Sequence, residues 1–415
     1  MKNVLKIIII LIVSVLTACA PQSKESEDNT KSLKDNYLVK NSVIPQSIDQ
    51  KTDKADKTVN YDYLKGIWVS YIDLAPMLTG KTEQQFRDNF EKACKNVLKV
   101  GCNTIFVHVR PFGDAVYNSD IYPLSYYLTG RYETSAEYDP LSIMVEIAHE
   151  NSISIHAWIN PLRLESEQHL KEIDDRFKIK QWYNARNDYI CHVEGDEHLW
   201  LNPGYEDVRK LIADGAKEIV QKYAVDGLHY DDYFYPTTKE SFDIKCFSAF
   251  SKGKELSVWR MENISSLVKM IYNVVKSVNN NVVVGVSPQG NIENNYNYMY
   301  ADVKKWSSTT GYIDYICPQI YYGYNNPVKP FLKTIKDWTG IVKCKDVKLY
   351  IGLAVYKTIG SDSEFVRTTG IIAKQINDIS SFSECKGFIL YKYLDLFNDN
   401  QRSKTELDLI IKQLQ

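Results

Sequence analysis

Two adjacent carboxylates, Asp231 and Asp232, sit in the run DGLHYDDYFYP (226–236). Like charges this close repel, so one carboxyl is expected to keep its proton toward neutral pH beside an ionised partner. That is the equipment of general acid–base chemistry. Imidazoles and a guanidinium recur in comparable apolar runs: His108 and Arg110 in TIFVHVR (104–110), His156 in SIHAWIN (154–160), and His229 just before the acidic pair. Burying so many ionisable groups for stability alone is expensive, so their convergence points to a site. His108, His156, His229 and Asp231 are also residue types that ligate zinc. Neither HxH nor HExxH occurs, however, and each histidine lies in a different run. A metal-dependent hydrolase or deacetylase is therefore a rival reading. No metal is expected, and no other cofactor: GxGxxG and GxxxxGK[ST] are both absent.

These groups need a scaffold that points them one way. From residue 66 onward the chain alternates strand-like and helical runs. The strand-like runs are 66–71, 104–110, 154–160, 227–232, 282–288, 315–321, 349–356 and 387–393. Helical spacing fills most gaps, as in Phe86, Phe90, Cys94 and Val97. Alternation of this kind predicts parallel βαβ units. Eight of them fit a (β/α)8 TIM-type barrel with long inserted βα loops. A doubly wound open sheet, the rival, would want a glycine-rich phosphate turn after its first strand.

In a barrel strand, alternate residues face the lumen. Placing apolar residues outward turns His108 and Arg110 inward on strand two, His156, Trp158 and Asn160 on strand three, and His229 and Asp231 on strand four. Strand five offers Ser287 and Gln289, and strand six Gln319 and Tyr321. Strands seven and eight offer Tyr356, Tyr391 and Tyr393. The polar positions crowd the C-terminal ends of the strands, where barrel active sites lie. Residues 162–201 are long for a loop and are expected to wall or cover the site.

Composition narrows the partners. Hydrophobic residues make up 44% and charged residues 25%, as in ordinary globular proteins. The net charge of −2 supplies no basic excess for a nucleic-acid backbone, so no nucleic-acid partner is expected. Thirty tyrosines and seven tryptophans suit flat, uncharged ligands such as sugars.

The N-terminus reads as an address. A basic start is followed by an apolar run, Ile7 to Leu16, too short to span a bilayer. Leu16-Thr17-Ala18-Cys19 then looks like a bacterial lipobox. Residues 1–19 are thus expected to be a lipoprotein signal peptide ending at a lipidated Cys19, with two acyl chains for stable anchoring. Residues 20–60 are polar and are expected to form a flexible tether. The folded body, 61–415, would then sit on the extracytoplasmic face of the cell membrane, held by the lipid. Of eight cysteines, the seven beyond Cys19 contain no CxxC and are expected to be small buried hydrophobes, although sequence leaves one disulfide open.

Eight segments then carry a resemblance. GIWVS (66–70), NTIFVHVRPFGDAVY (103–117), YDP (138–140), HAWINP (156–161), WLNPG (200–204), DGLHYDDYFYP (226–236), GVSPQGN (285–291) and YICPQIYYG (315–323) occur in this order. Together they resemble the bacterial glycosyl-hydrolase-like family 10 domain over about residues 64–375. The resemblance implies a (β/α)8 barrel, glycan hydrolysis and, for some members, action on peptidoglycan.

Glycoside cleavage needs an acid for the leaving oxygen and a nucleophile, base or substrate group opposite it. Two schemes stay open. In one, Asp231 is nucleophile or base, and Glu293 or Asp114 supplies the acid. In the other, the substrate's own N-acetyl group attacks, Asp231 steadies the acetamide and Asp232 is the acid. His108 and Arg110 suit sugar hydroxyls or the orientation of Asp231. His156 and His229 count with them as candidate binding groups. Asn160, Gln289 and Gln319 are amides suited to hydroxyl and acetamido groups. Trp158, Tyr233 and Tyr321 offer faces to sugar rings, and turns after strands two and five would place Asp114 and Asn291 over the mouth. A non-catalytic glycan-binding lipoprotein is the remaining alternative.

Overall fold

A computed structural model describes residues 58–132 and 136–415. The signal segment, Cys19 and nearly all of the tether lie outside the described residues.

Eight parallel strands close a barrel. They are β1 (Leu64–Val69), β2 (Thr104–Arg110), β3 (Ser154–Ile159), β4 (Gly227–Tyr230), β5 (Val283–Val286), β6 (Tyr315–Ile316), β7 (Lys348–Ala354) and β8 (Cys385–Tyr391). Each pairs with its sequence neighbours, and β1 closes on β8 in the register Gly66 to Ile389. The expected (β/α)8 barrel is the observed fold. Regular pairing in β5 and β6 stops short of the expected ends, because Pro288 and Pro318 have no N–H to donate. Past them the ladder survives as single bridges from Gln319 to Gln289 and to Gly352.

Outward strand residues such as Val107, Ile155, Ala157 and Leu228 are fully buried against the helices. The helix Glu83–Val100 shows why: Phe86, Phe90, Cys94 and Val97 form its buried stripe, and Thr82 and Gln85 close a capping box at its start.

The lumen has its own apolar cluster, including Trp68, Phe106, Trp158, Tyr315 and Tyr350. Glycines opposite these rings make the space for them. A Cβ at Gly285 would stand 2.0 Å from the Tyr315 ring, and one at Gly227 would stand 2.4 Å from the His156 ring. These rings fill the middle of the lumen, and the larger opening, of about 650 Å³, lies above them at the C-terminal end, against about 300 Å³ at the N-terminal end.

Residues 162–201 are not a bare loop. Arg163–Ser166, Ile190–His192 and His198–Leu201 form a three-stranded antiparallel sheet, with helices Glu167–Glu172 and Lys178–Asn184 between them. Among the described residues no helix is long and apolar enough to cross a membrane. The seven cysteines there are all free thiols.

Candidate active site

A cleft of about 650 Å³ opens over the C-terminal ends of the strands. Asp231 lies at its floor, 4% exposed. Its Oδ2 accepts the Trp158 indole N–H at 3.0 Å, and its Oδ1 lies 3.4 Å from the Tyr233 amide nitrogen. Asp232 is half-buried beside it. Its Oδ1 accepts from the Gln319 amide at 2.9 Å, and that amide also donates to the Ser287 carbonyl at 3.0 Å. Burial pushes the Asp231 carboxyl well above the usual range, and the neighbouring Asp232 charge pushes it further. Burial also raises Asp232, opposed by hydrogen bonds from Gln319 and Gln289. The pair therefore holds a proton more tightly than ordinary carboxylates do.

His108 lies flat on Trp158, ring centroids 3.7 Å apart and planes 7° apart. Neither of its ring nitrogens has a hydrogen-bond partner among the described residues. Burial holds it well below its usual pKa against the opposing influence of the Asn160 amide, and the charges of Arg163 and Arg110 add to the lowering, so it is a neutral imidazole. Asn160 donates to the Pro111 carbonyl at 2.9 Å while its Oδ1 is unpaired, and the Ser287 hydroxyl is unpaired as well. All three line the cleft. Other buried polar atoms in the fold also lack partners, but these converge on the acidic pair from three different strands or strand ends.

Aromatic side chains form the walls. Trp200 stacks on Tyr233, and Tyr321 stacks on Tyr391, each with centroids 5.9 Å apart. Trp68, Tyr71 and Tyr356 complete the lining. The structure thus brings Asp231, Asp232, His108, Trp158, Asn160, Tyr233, Gln289, Gln319 and Tyr321 to one cleft. Reading by parity alone passed over Trp68, although its strand position pointed inward, and Arg163 and Trp200, which arrive on the unforeseen antiparallel sheet.

Other expected site residues lie elsewhere. Arg110 does not reach the cleft. The β2–β3 register shifts between His108 and Arg110, so that Arg110 pairs with outward Ile159. A bulge of this kind flips the face of the next side chain. The guanidinium accordingly lies over the Tyr122 ring, 4.9 Å from its centroid, and donates to the Asn160 carbonyl. Asp114 folds back to accept the Phe112 amide at 2.8 Å in a turn where Gly113 has φ 71°. Burial and nearby Glu165 raise it to about 7, but outside the cleft. Asn291 caps the short helix Ile292–Asn297, accepting from the amides of Glu293 and Asn294. Glu293 points to solvent and pairs with Lys329, which lowers its pKa. Tyr393 is buried and accepts from Asn96 at 2.8 Å.

His156 and His229 do face the lumen, one layer below the cleft. The Trp68 indole donates to His229 Nε2 at 3.1 Å, and the Tyr315 hydroxyl lies 3.0 Å from Nδ1 of both histidines. An indole N–H only donates, so His229 Nε2 must accept and its proton sits on Nδ1. That proton goes to the Tyr315 oxygen, whose own hydrogen goes to His156 Nδ1. The three histidines therefore do not converge as a ligand set.

A family model described as glycosyl hydrolase-like 10 matches residues 63–366. The chain belongs to that family. Glycosyl hydrolase YngK of Bacillus subtilis (strain 168) is 31% identical over 316 residues, 71% of this chain and 61% of YngK, so the chain spans about three-fifths of that relative's length. Glycosyl hydrolase DigH of Escherichia coli (strain K12) is 29% identical over 371 residues, 79% of this chain and 82% of DigH. Two solved structures share the fold. The glycoside hydrolase domain of PgaB (BpsB) from Bordetella bronchiseptica superposes with a TM-score of 0.57 at 9% identity, over 84% of this chain and 99% of that one. An endo-1,4-beta-mannanase from Rhizomucor miehei gives 0.53 at 10% identity, over 85% and 94%.

Proposed function

We propose that the chain is a glycoside hydrolase that cleaves a cell-wall glycan, peptidoglycan or a related N-acetylhexosamine polymer. In this reading it acts as a lipoprotein held at the extracytoplasmic face of the membrane through Cys19. The observation that carries the reading is the acidic pair: two raised carboxyls at the floor of an aromatic-walled cleft, beside polar atoms of His108, Asn160 and Ser287 that have no partner among the described residues. The names of YngK and DigH support the same class of reaction.

Glu293 and Asp114 lie outside the cleft, so the scheme that needs either as acid loses its support. The substrate-assisted scheme uses only what the cleft holds. In the empty cleft the pair's proton rests on the deeper Asp231. When a substrate acetamido N–H engages Asp231, the proton passes to Asp232 and from there to the leaving glycosidic oxygen. The acetamido oxygen bonds to the anomeric carbon as the glycosidic C–O bond breaks. Asp231 takes the acetamido proton as the oxazoline forms; Asp232 then removes a proton from the water that attacks the anomeric carbon, and Asp231 returns its proton to the nitrogen as the ring opens. Trp158 keeps Asp231 in place throughout.

A digest of purified, peptide-free glycan strands, read by mass spectrometry, tests the activity. Cleaved oligosaccharides are expected. Binding with no cleavage would show a glycan-binding protein instead. Efficient cleavage of a de-N-acetylated strand would remove the substrate-assisted scheme and leave Asp231 as nucleophile or base. Cys19→Ala should release the protein from membranes or leave its precursor uncut, and a lipid-labelled, membrane-bound variant would end the lipoprotein reading.

A further inference from the structure

Arg163 projects from the antiparallel sheet, opposite Trp200 in the register, and lines the cleft. Its guanidinium is held between two aromatic faces, 4.7 Å from the Phe112 centroid and 4.9 Å from that of Tyr233. Phe112 is itself stacked on His198 at 5.1 Å. One Nη1 hydrogen goes to the Tyr233 hydroxyl at 3.3 Å, and Nη2 lies 3.5 Å from His198 Nε2. Both partners are neutral. The same Nη2 lies 3.4 Å from His198 Nδ1, and with five N–H donors the fork keeps donors without an acceptor among the described residues.

The acidic side chains nearby are engaged elsewhere. Glu165, two positions along the same strand, pairs with His169 at 3.1 Å. Asp196 accepts from Trp200 at 2.9 Å and lies 3.3 Å from His198. Glu194 pairs with Lys239. Glu197 is 83% exposed, at the outer edge of the His198 ring. Inside the cleft, Asp231 accepts from the Trp158 indole and Asp232 from the Gln319 amide, and neither carboxylate forms an ion pair or hydrogen bond with Arg163 among the described residues. A stacked guanidinium has lost its freedom before the ligand arrives, and its planar fork matches a carboxylate in two parallel hydrogen bonds.

We propose that Arg163 is a specificity-determining residue that binds a carboxylate carried by the sugar substrate. The inference rests on the glycan reading above and narrows it to an acidic glycan. Two sources share this chemistry: the lactyl ether of a muramic acid unit, and the carboxyl of a uronic acid unit.

Calorimetric binding to the full chain carrying Asp231→Asn, which keeps the ligand intact, tests it. Three probes are used: a muramic-acid-containing tetrasaccharide with free lactyl carboxyls, the same compound with those carboxyls reduced to alcohols, and a uronate-containing tetrasaccharide. The free acid is expected to bind about 10–100-fold more tightly than the alcohol, the range for hydrogen bonds to a charged group. Adding Arg163→Gln should erase that difference while leaving the alcohol's affinity within a few-fold. Tight binding of the uronate would assign a uronic acid, and weak binding the lactyl ether. Equal binding of acid and alcohol, or an equal loss on both with Arg163→Gln, would overturn the proposal and leave the glycan reading standing. If none of the three binds, the glycan reading itself fails. Should Arg163→Gln not fold, Arg163→Lys keeps the charge without the fork. Discrimination reduced several-fold then supports the proposal, and unchanged discrimination refutes it.

Discussion

The barrel lumen carries two layers of polar side chains that look alike as residue types and behave in opposite ways. The lower layer, Trp68, His229, Tyr315 and His156, is linked internally: the Trp68 indole, both ring nitrogens of His229, the Tyr315 hydroxyl and His156 Nδ1 meet one another at 3.0–3.1 Å. In the upper layer, His108, Asn160 and Ser287 are left with open valences around Asp231 and the cleft. A buried histidine is thus not evidence of function by itself. What distinguishes the two layers is whether the hydrogen-bond inventory balances inside the protein.

The sharpest test of this contrast is to change one group in each layer and read both activity and stability. Asp231→Asn keeps the shape and removes the acid–base group, so turnover should fall by ~10²–10⁴-fold. Its melting temperature at pH 8 should hold or rise, because a costly buried carboxyl is gone. Reducing-end release and calorimetry check the two halves. Loss of fold in place of activity would move Asp231 into the structural layer.

The lower layer should show the reverse. Tyr315→Phe removes the hydroxyl that joins His156 and His229 and leaves two buried nitrogens unpaired, at a cost of about 1–3 kcal/mol. Gly285→Ala forces a Cβ into the Tyr315 ring and should cost a similar ~1–3 kcal/mol by overpacking. Both are expected to lower the melting temperature while kcat of the folded fraction stays within a few-fold. A kcat loss like that of Asp231→Asn would connect the layers.

A smaller effect is expected at His108. His108→Leu removes two unsatisfied nitrogens, so stability should hold or improve. If the imidazole binds substrate hydroxyls, KM should rise by about 10-fold, the value of one hydrogen bond. An unchanged KM together with a lower melting temperature would place His108 with the packing residues.

Much of this arrangement could be read from the chain. The eight strands follow from apolar runs with helical spacing between them, and parity turned His108, Trp158, His229 and Asp231 inward because the pairing keeps its register as far as His108, Trp158 and His229. Where the register slips, parity fails. The bulge before Arg110 has no signature in TIFVHVR, so its side chain was expected on the wrong face. The sheet carrying Arg163 and Trp200 escaped because its strands are only three or four residues long, too short for alternation to register. Asn291 and Glu293 were expected at the mouth, yet Asn291 is a helix cap and Glu293 the first-turn carboxylate after it. That pattern is itself a helix-start signal. Whether His229 was a ligand or a closed link depended on Trp68 and Tyr315, which are distant in sequence.

The two layers also predict opposite responses to acid. Burial holds His156 down at about 3, and burial with two neighbouring imidazoles holds His229 well below its usual value. Their rings should stay neutral in nitrogen NMR from pH 8 to pH 4, with the His229 proton on Nδ1. The unfolded chain takes up these protons near pH 6.5, so it binds more protons than the folded one below that point. Stability from the lower layer therefore falls as pH drops below 6.5, by about 0.7 kcal/mol per shielded histidine between pH 7 and 6. Asp231 works the other way. Its folded carboxyl is raised, so the folded state holds a proton that the unfolded chain has released, and stability rises as pH falls. In the wild type the two trends oppose each other. Asp231→Asn removes the upward one, so its melting temperature should decline more steeply between pH 7 and 5 than that of the wild type. Parallel curves would mean that the Asp231 carboxyl is not raised, and the upper layer would lose its resting acid.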